Sequence, residues 1–200
     1  MSSTARRERT RTGTRDALVD AALRLLEQEG ASALTMRRLA DEVDYTPPVV
    51  YQHFSGKRGL VLELIGVGYR RLATTLRATG TDPAPDVDVR VLDAVDAYVA
   101  FASAHPHLLE LMHDPAVDPD ARRTAAQPVV DLIRDLLDDW SRRHGLELDD
   151  PEEACEVLWG TLSGIVALGR HDAIGAERAR RLSSNAVRAL LLGWRTAARI

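Results

Sequence analysis

The chain has 200 residues, 45% of them apolar, which is enough to bury a core in one large or two small domains. Aromatics make up only 4%, and no β-branched or aromatic run signals a sheet. A single cysteine, Cys155, excludes an internal disulfide framework and suits a reducing compartment.

The net charge of −4 is unevenly spread. Residues 1–60 carry ten basic against eight acidic side chains, and residues 61–200 carry sixteen against twenty-two. A polyanion is thereby directed to the N-terminal end. There Arg6, Arg7, Arg9 and Arg11, interrupted only by Glu8, make residues 1–14 a basic arm, expected to be disordered. Such a run reads as a phosphate-seeking arm, with a solvated tail as the alternative. The excess of arginine over lysine (Lys57 is the only lysine) is a compositional bias and not itself a sign of DNA binding.

The first helix is expected over 15–28, with Thr14 as its cap and Leu18, Ala21, Ala22, Leu25 and Leu26 as its apolar face. Gly30 is placed to end it in a left-handed turn. Thr35 caps a short second helix, where Leu34 and Leu39 form a hydrophobic staple. It stops near Val43, and Asp44 must turn the corner. Thr46 then caps a third helix with Pro47 at its first position, where the missing N–H costs nothing. Tyr45 is expected to pack on Val50. Ser55 opens a longer fourth helix that reaches about Thr79.

A break at 80–88 precedes the fifth helix. His105-Pro106, Asp118-Pro119 and Asp150-Pro151 each mark a new helix start, and Gly145 ends the seventh helix, which Pro128 should kink or split. The eighth helix is expected over 151–170 and the ninth over 176–198. The fold class is therefore all-α, with about nine helices: a three-helix head over 15–60 and a helical body over 61–200. The N-terminus lacks an apolar segment behind its arginines, and the longest uncharged stretch, 157–169, is too short to span a bilayer. A cytoplasmic protein with no membrane partner is expected.

The second and third helices have the layout of a helix-turn-helix, in which the second member presents its N-terminal half to base edges. Leu39, Ala40, Val43 and Val50 face inward by phase, leaving Thr46, Pro47, Val49, Tyr51 and Gln52 outward. Arg37 can reach a guanine bidentately or a phosphate, and Lys57 with the free amides opening the fourth helix makes a phosphate site. Phe54 reads better as a core plug. His53 is as readily a packed side chain as a contact, and Arg38 as readily a solvated charge.

These residues carry a resemblance. From Arg15 to Leu64 the chain resembles the DNA-binding domain of the TetR-type transcriptional regulators in Ala21-Ala22, Gly30, Thr35, Leu39-Ala40, Tyr51-x-His53-Phe54, Lys57 and Leu60. The resemblance implies phosphate contacts for Thr35, Tyr51, His53 and Lys57, and base contacts for Arg37, Pro48, Val49 and Gln52. Two departures stand out: Asp44 replaces the usual glycine, and Pro47-Pro48-Val49-Val50 is unusually apolar for a reading surface. Thymine methyls and DNA shape then carry more of the specificity.

The body resembles a subgroup of the same family in Tyr98-x-x-Phe101-Ala102, His105-Pro106 and Trp159 followed by Ser163-Gly164, where Ser163 replaces a histidine. Tyr98, Phe101, His105, Met112, Trp140, Trp159 and Leu162 are the candidate lining of a mostly apolar effector pocket, although core packing suits each of them singly. Gly160, Ser163, Gly164 and Ala167 on the eighth helix form a small-residue stripe. Leu182, Ala186, Ala189, Leu190, Gly193 and Ala197 form a face on the ninth. Together they predict a four-helix homodimer interface over about 151–198. The spacing of His105, His107 and His113 matches no common metal site, and no cofactor is expected.

The expected function is a homodimeric repressor on a palindromic double-stranded DNA operator, its half-sites ~34–36 Å apart, released by a small apolar effector. The alternatives are a ligand-independent regulator or activator of the same fold and, remotely, an all-helical enzyme. No nucleophile–base–orienter set supports the enzyme.

Overall fold

The computed structural model describes residues 3–79, 86–170 and 173–197, with side chains from residue 12 onward. Among them are nine α-helices and no strand: α1 (Ser3–Glu29), α2 (Met36–Glu42), α3 (Pro47–His53), α4 (Gly56–Ala78), α5 (Val87–Ala104), α6 (Pro106–Met112), α7 (Pro119–His144), α8 (Pro151–Arg170) and α9 (Ala176–Ala197). The chain divides into two compact units, Met1–Gly68 with His105–Ala125, and Tyr69–Ala104 with Ala126–Ile200. This division differs from the expected one at 60/61. It draws α6 and the start of α7 to the first unit, because α6 packs on α1.

In the first unit the α1 face behaves as its periodicity requires. Leu18, Ala21, Ala22, Leu25 and Leu26 are buried, with Leu39, Ala40 and Val50 from the next two helices. Each such leucine contributes ~1.5–3 kcal/mol by leaving water. Two expectations are corrected. Helix α1 begins at Ser3, not Arg15, so residues 3–14 are helical rather than a disordered arm. Nothing between Ser3 and Thr14 breaks a helix outright, and Ala5, Arg6, Arg7, Glu8, Arg9 and Arg11 all favour one. Gly30 does end α1, but at φ 79° and ψ 178°, a region open essentially to glycine alone and distinct from a left-handed helical turn. A 3-10 turn, Ala31–Ala33, then leads to α2.

In the second unit α8 packs on α9, and α9 on α5. One stripe of α8 (Ala154, Leu158, Leu162, Val166) and one of α9 (Ala179, Ser183, Val187, Leu191) are buried within the chain. The expected proline starts hold at Pro106, Pro119 and Pro151. Asp118 Oδ1 accepts the Ala121 amide at 3.0 Å, and Asp150 Oδ1 accepts the Glu152 and Glu153 amides at 2.9 and 3.0 Å. Pro128 does not split α7, which is one helix of 26 residues. A single lost i→i−4 bond is outweighed where both flanks are packed.

The ends of three helices meet at Asp88. The Trp140 indole N–H donates to its Oδ1 at 2.6 Å, His144 Nε2 lies 3.0 Å from the same oxygen, and Arg195 reaches Oδ2 at 3.3 Å. Partial burial disfavours the charge. The hydrogen bonds from Trp140 and His144 and the positive charge of His144 and Arg195 outweigh it, holding the carboxyl below its usual range.

Candidate nucleic-acid interface and body cavity

Helix α2 starts on Thr35, whose Oγ1 accepts the Arg38 amide at 3.1 Å. The oxygen accepts in the cap, which leaves the hydroxyl hydrogen available to donate to a phosphate. The corner closes through the Tyr45 amide on the Ala40 carbonyl at 2.9 Å, with Asp44 at φ 54°. Asp44 is the sole non-glycine residue with positive φ among the described ones, as the replacement of glycine implies. Thr46 is the N-cap of α3 but makes no side-chain cap bond, leaving its hydroxyl for an outside partner. Pro47 and Pro48 fill the first two helical positions.

Val50 and Phe54 are fully buried and fix α3 by its inner face, so Phe54 is the core plug its apolar ring suggests. The opposite face carries Pro48, Gln52 and Tyr51, the last 58% exposed; Pro47, Val49 and His53 are half-buried. Tyr45 departs from expectation: it is 42% exposed rather than packed, since Val50 is already enclosed by other elements. The basic side chains are sorted by their partners. Arg38 pairs with Glu29 at 2.6 Å, and Arg15 pairs with Glu63 while lying 5.7 Å over the Phe54 ring. Arg37 and Lys57 are exposed and make no ion pair with a described residue. An outward helix face, with exposed cations on the helices before and after it, is suited to a groove between phosphate rows.

In the second unit a cavity of about 290 Å³ is walled by α4, α5, α7 and α8. Of the candidate effector residues, Tyr98, Trp159 and Leu162 line it, with Tyr98 and Trp159 ring centroids 5.5 Å apart. Four predicted lining residues do not. Phe101 lies a turn beyond Tyr98 and is buried in the core, while Trp140 is buried with its N–H on Asp88. His105 and Met112 belong to the first unit: His105 Nδ1 lies 3.6 Å from Glu27, and Met112 packs where a Gly68 side chain would be. Sequence reasoning missed Leu76, Val91, Leu132 and Leu136, whose only signal was an apolar phase shared with ordinary core positions. A larger groove of about 800 Å³ beside α5 and α9 is open and lined by Asp93, Asp96 and Glu177, with Arg180 paired to Asp96 at 3.1 Å. Its water-exposed charges suit an apolar effector poorly, so the smaller cavity is the candidate site.

Among the described residues no three His, Cys, Asp or Glu side chains could jointly hold a metal ion, and no helix is long and apolar enough to cross a membrane.

Comparison with known proteins covers the same two regions. Residues 18–64 match the profile of the bacterial regulatory proteins of the tetR family, and residues 91–190 match the tetracyclin repressor-like C-terminal domain. The uncharacterized HTH-type transcriptional regulator Rv0681 of Mycobacterium tuberculosis is 27% identical over 165 residues, covering 78% of this chain and 69% of that one. The uncharacterized HTH-type regulator YobS of Bacillus subtilis is 29% identical over 97 residues, 48% of this chain; the match spans only 50% of YobS. Among solved structures, a Rhodococcus sp. RHA1 protein of unknown function superposes with a TM-score of 0.77 at 23% identity, covering 90% of this chain and 94% of that one.

Proposed function

Because the chain belongs to the TetR family of bacterial transcription regulators, and so binds DNA through its N-terminal helix-turn-helix, we propose that it is a homodimeric repressor released from its operator by a small apolar effector. The observation that carries the DNA half is the exposed tip of α3, with Tyr51 and Gln52 outward between the uncommitted Arg37 and Lys57. Thr35, Tyr51, His53 and Lys57 would hold phosphates; Arg37, Thr46, Pro47, Pro48, Val49 and Gln52 would face the bases.

Support for the dimer comes from what α8 and α9 leave uncovered. Gly160 and Gly164 have nothing within 4 Å of where a Cβ would stand, and neither has Gly193 on α9. Beside them Leu168 is 50% and Leu192 62% exposed. Each interior helix glycine costs ~1 kcal/mol relative to alanine, and close approach of a second copy is the natural compensation. The homodimer interface is therefore assigned to these faces of α8 and α9, opposite the stripes buried within the chain.

The effector half rests on the cavity lined by Tyr98, Trp159 and Leu162. An effector preferring one body geometry shifts the operator equilibrium by its differential affinity alone. The deciding experiment is a gel shift on the DNA upstream of the neighbouring genes. Arg37→Ala should weaken binding ten- to a hundredfold, about 1–3 kcal/mol, with circular dichroism unchanged. Wild-type affinity in that variant would overturn the assignment.

A further inference from the structure

The chemistry of the cavity wall narrows what it can hold. Its uncharged walls are aliphatic apart from Thr79 and the tilted Tyr98–Trp159 pair. The charged lining is either spent or at the rim. Arg90 is bound to Asp139 at 2.5 Å, and Asp139 also takes Arg143 at 3.1 Å. Arg77 and Asp135 are exposed and keep their hydration. Arg170 acts on the Tyr98 hydroxyl only at a distance and does not line the cavity.

Among the polar lining groups the Thr79 hydroxyl is spent on the Leu76 carbonyl at 2.7 Å, and the weakly held donor is the Tyr98 hydroxyl. Tyr98 is 3% exposed, and its hydrogen-bond partner among the described residues, Ser163 Oγ, lies at 3.4 Å, the long limit for two hydroxyls. Burial pushes the phenol up from its ordinary value, so it remains a proton donor at all physiological pH. Ser163 supplies a hydroxyl and no titratable ring at this point. A weakly engaged donor among apolar walls, with the charged lining either ion-paired or in water, is satisfied best by an uncharged acceptor. A carboxylate or ammonium would lose its hydration without a partner ion.

We infer that the cavity binds an uncharged, compact apolar compound, such as an aryl ketone or quinone-like molecule, whose single acceptor oxygen takes the hydrogen bond of Tyr98. Its volume of about 290 Å³ lies at the small end of the ~300–1,000 Å³ of drug-sized pockets and suits a compact ligand. This rests on the reading of the cavity as the effector site and adds the charge state and the reading group.

Calorimetric titration of the full chain with four probes on one scaffold tests it: naphthalene, acetylnaphthalene, naphthoate and naphthylmethylammonium. Acetylnaphthalene should bind about five- to tenfold more tightly than naphthalene, the worth of one hydrogen bond, and naphthoate and the ammonium more weakly than either. Tyr98→Phe should erase the preference for the ketone while still binding naphthalene. Tightest binding of naphthoate, or an unchanged ketone preference in Tyr98→Phe, overturns the inference and leaves the effector cavity standing. If none of the four binds, the cavity reading falls with it. The ranking in the wild-type protein decides the charge question even if Tyr98→Phe does not fold.

Discussion

Asp44 holds the corner of the helix-turn-helix at φ 54°, a conformation that costs an ordinary L residue roughly 1–2 kcal/mol and aspartate somewhat less. Asp44→Gly should therefore raise unfolding stability by up to about 1 kcal/mol, and Asp44→Val should lower it; urea unfolding checks both. This position was legible because the strain is local: a short loop between two capped helices forces one residue into that region. Partner choice is less legible. Arg37 and Arg38 are adjacent arginines on one helix, and only the fold tells that Arg38 is taken by Glu29 while Arg37 is uncommitted. Tyr45 shows the same limit, since whether a staple closes depends on how completely other elements already cover Val50.

Among the helices, proline and aspartate punctuation was readable because capping acts within one turn; α6, α7 and α8 begin where Pro106, Pro119 and Pro151 require. The start of α1 was not, because residues 3–14 lack an apolar rhythm and Gly13 reads as a break. Four of the seven predicted pocket residues lie elsewhere, since wall and core share one apolar phase. Glycine function on α8 and α9 divides sharply. A Cβ on Gly169 would stand 2.7 Å from Ala179 Cβ, an atom fixed to the α9 backbone, whereas one on Gly164 would meet nothing within 4 Å. Gly169→Ala should destabilise the chain by ~1–3 kcal/mol through overpacking, measured by thermal unfolding. Gly164→Arg should leave the subunit folded and convert the protein to a monomer in analytical ultracentrifugation; a persistent dimer would place the interface elsewhere. At Asp88, where α5, α7 and α9 end together, Asp88→Asn should cost about 2 kcal/mol near neutral pH by weakening charge-assisted bonds. The carboxyl's pKa is lowered in the folded state, so its contribution is complete above the usual carboxylate range and lost as pH falls through the depressed value. The gap between wild type and variant should close in acid.

For the whole molecule, charge segregation survives the correction at the N-terminus. Arg6, Arg7, Arg9, Arg11 and Arg15 belong to a helix rather than a loose arm, and removal of residues 1–11 should still flatten the salt dependence of operator binding. An identical slope would show that this segment touches no phosphate. The net charge of −4 alone would have argued against a nucleic-acid partner. Its distribution, together with the α2–α3 geometry, reverses that reading.

The open glycines of α8 give the proposed dimer a further property. A lone subunit carries Gly160 and Gly164 as uncompensated weak points in its own helix, and mass action repairs them only when another copy is nearby. The melting temperature of the wild-type protein should then rise with its concentration. In a cell, newly made single chains would be the ones that proteases remove, so the abundance of this regulator would be steadied by its own self-association before any gene is switched.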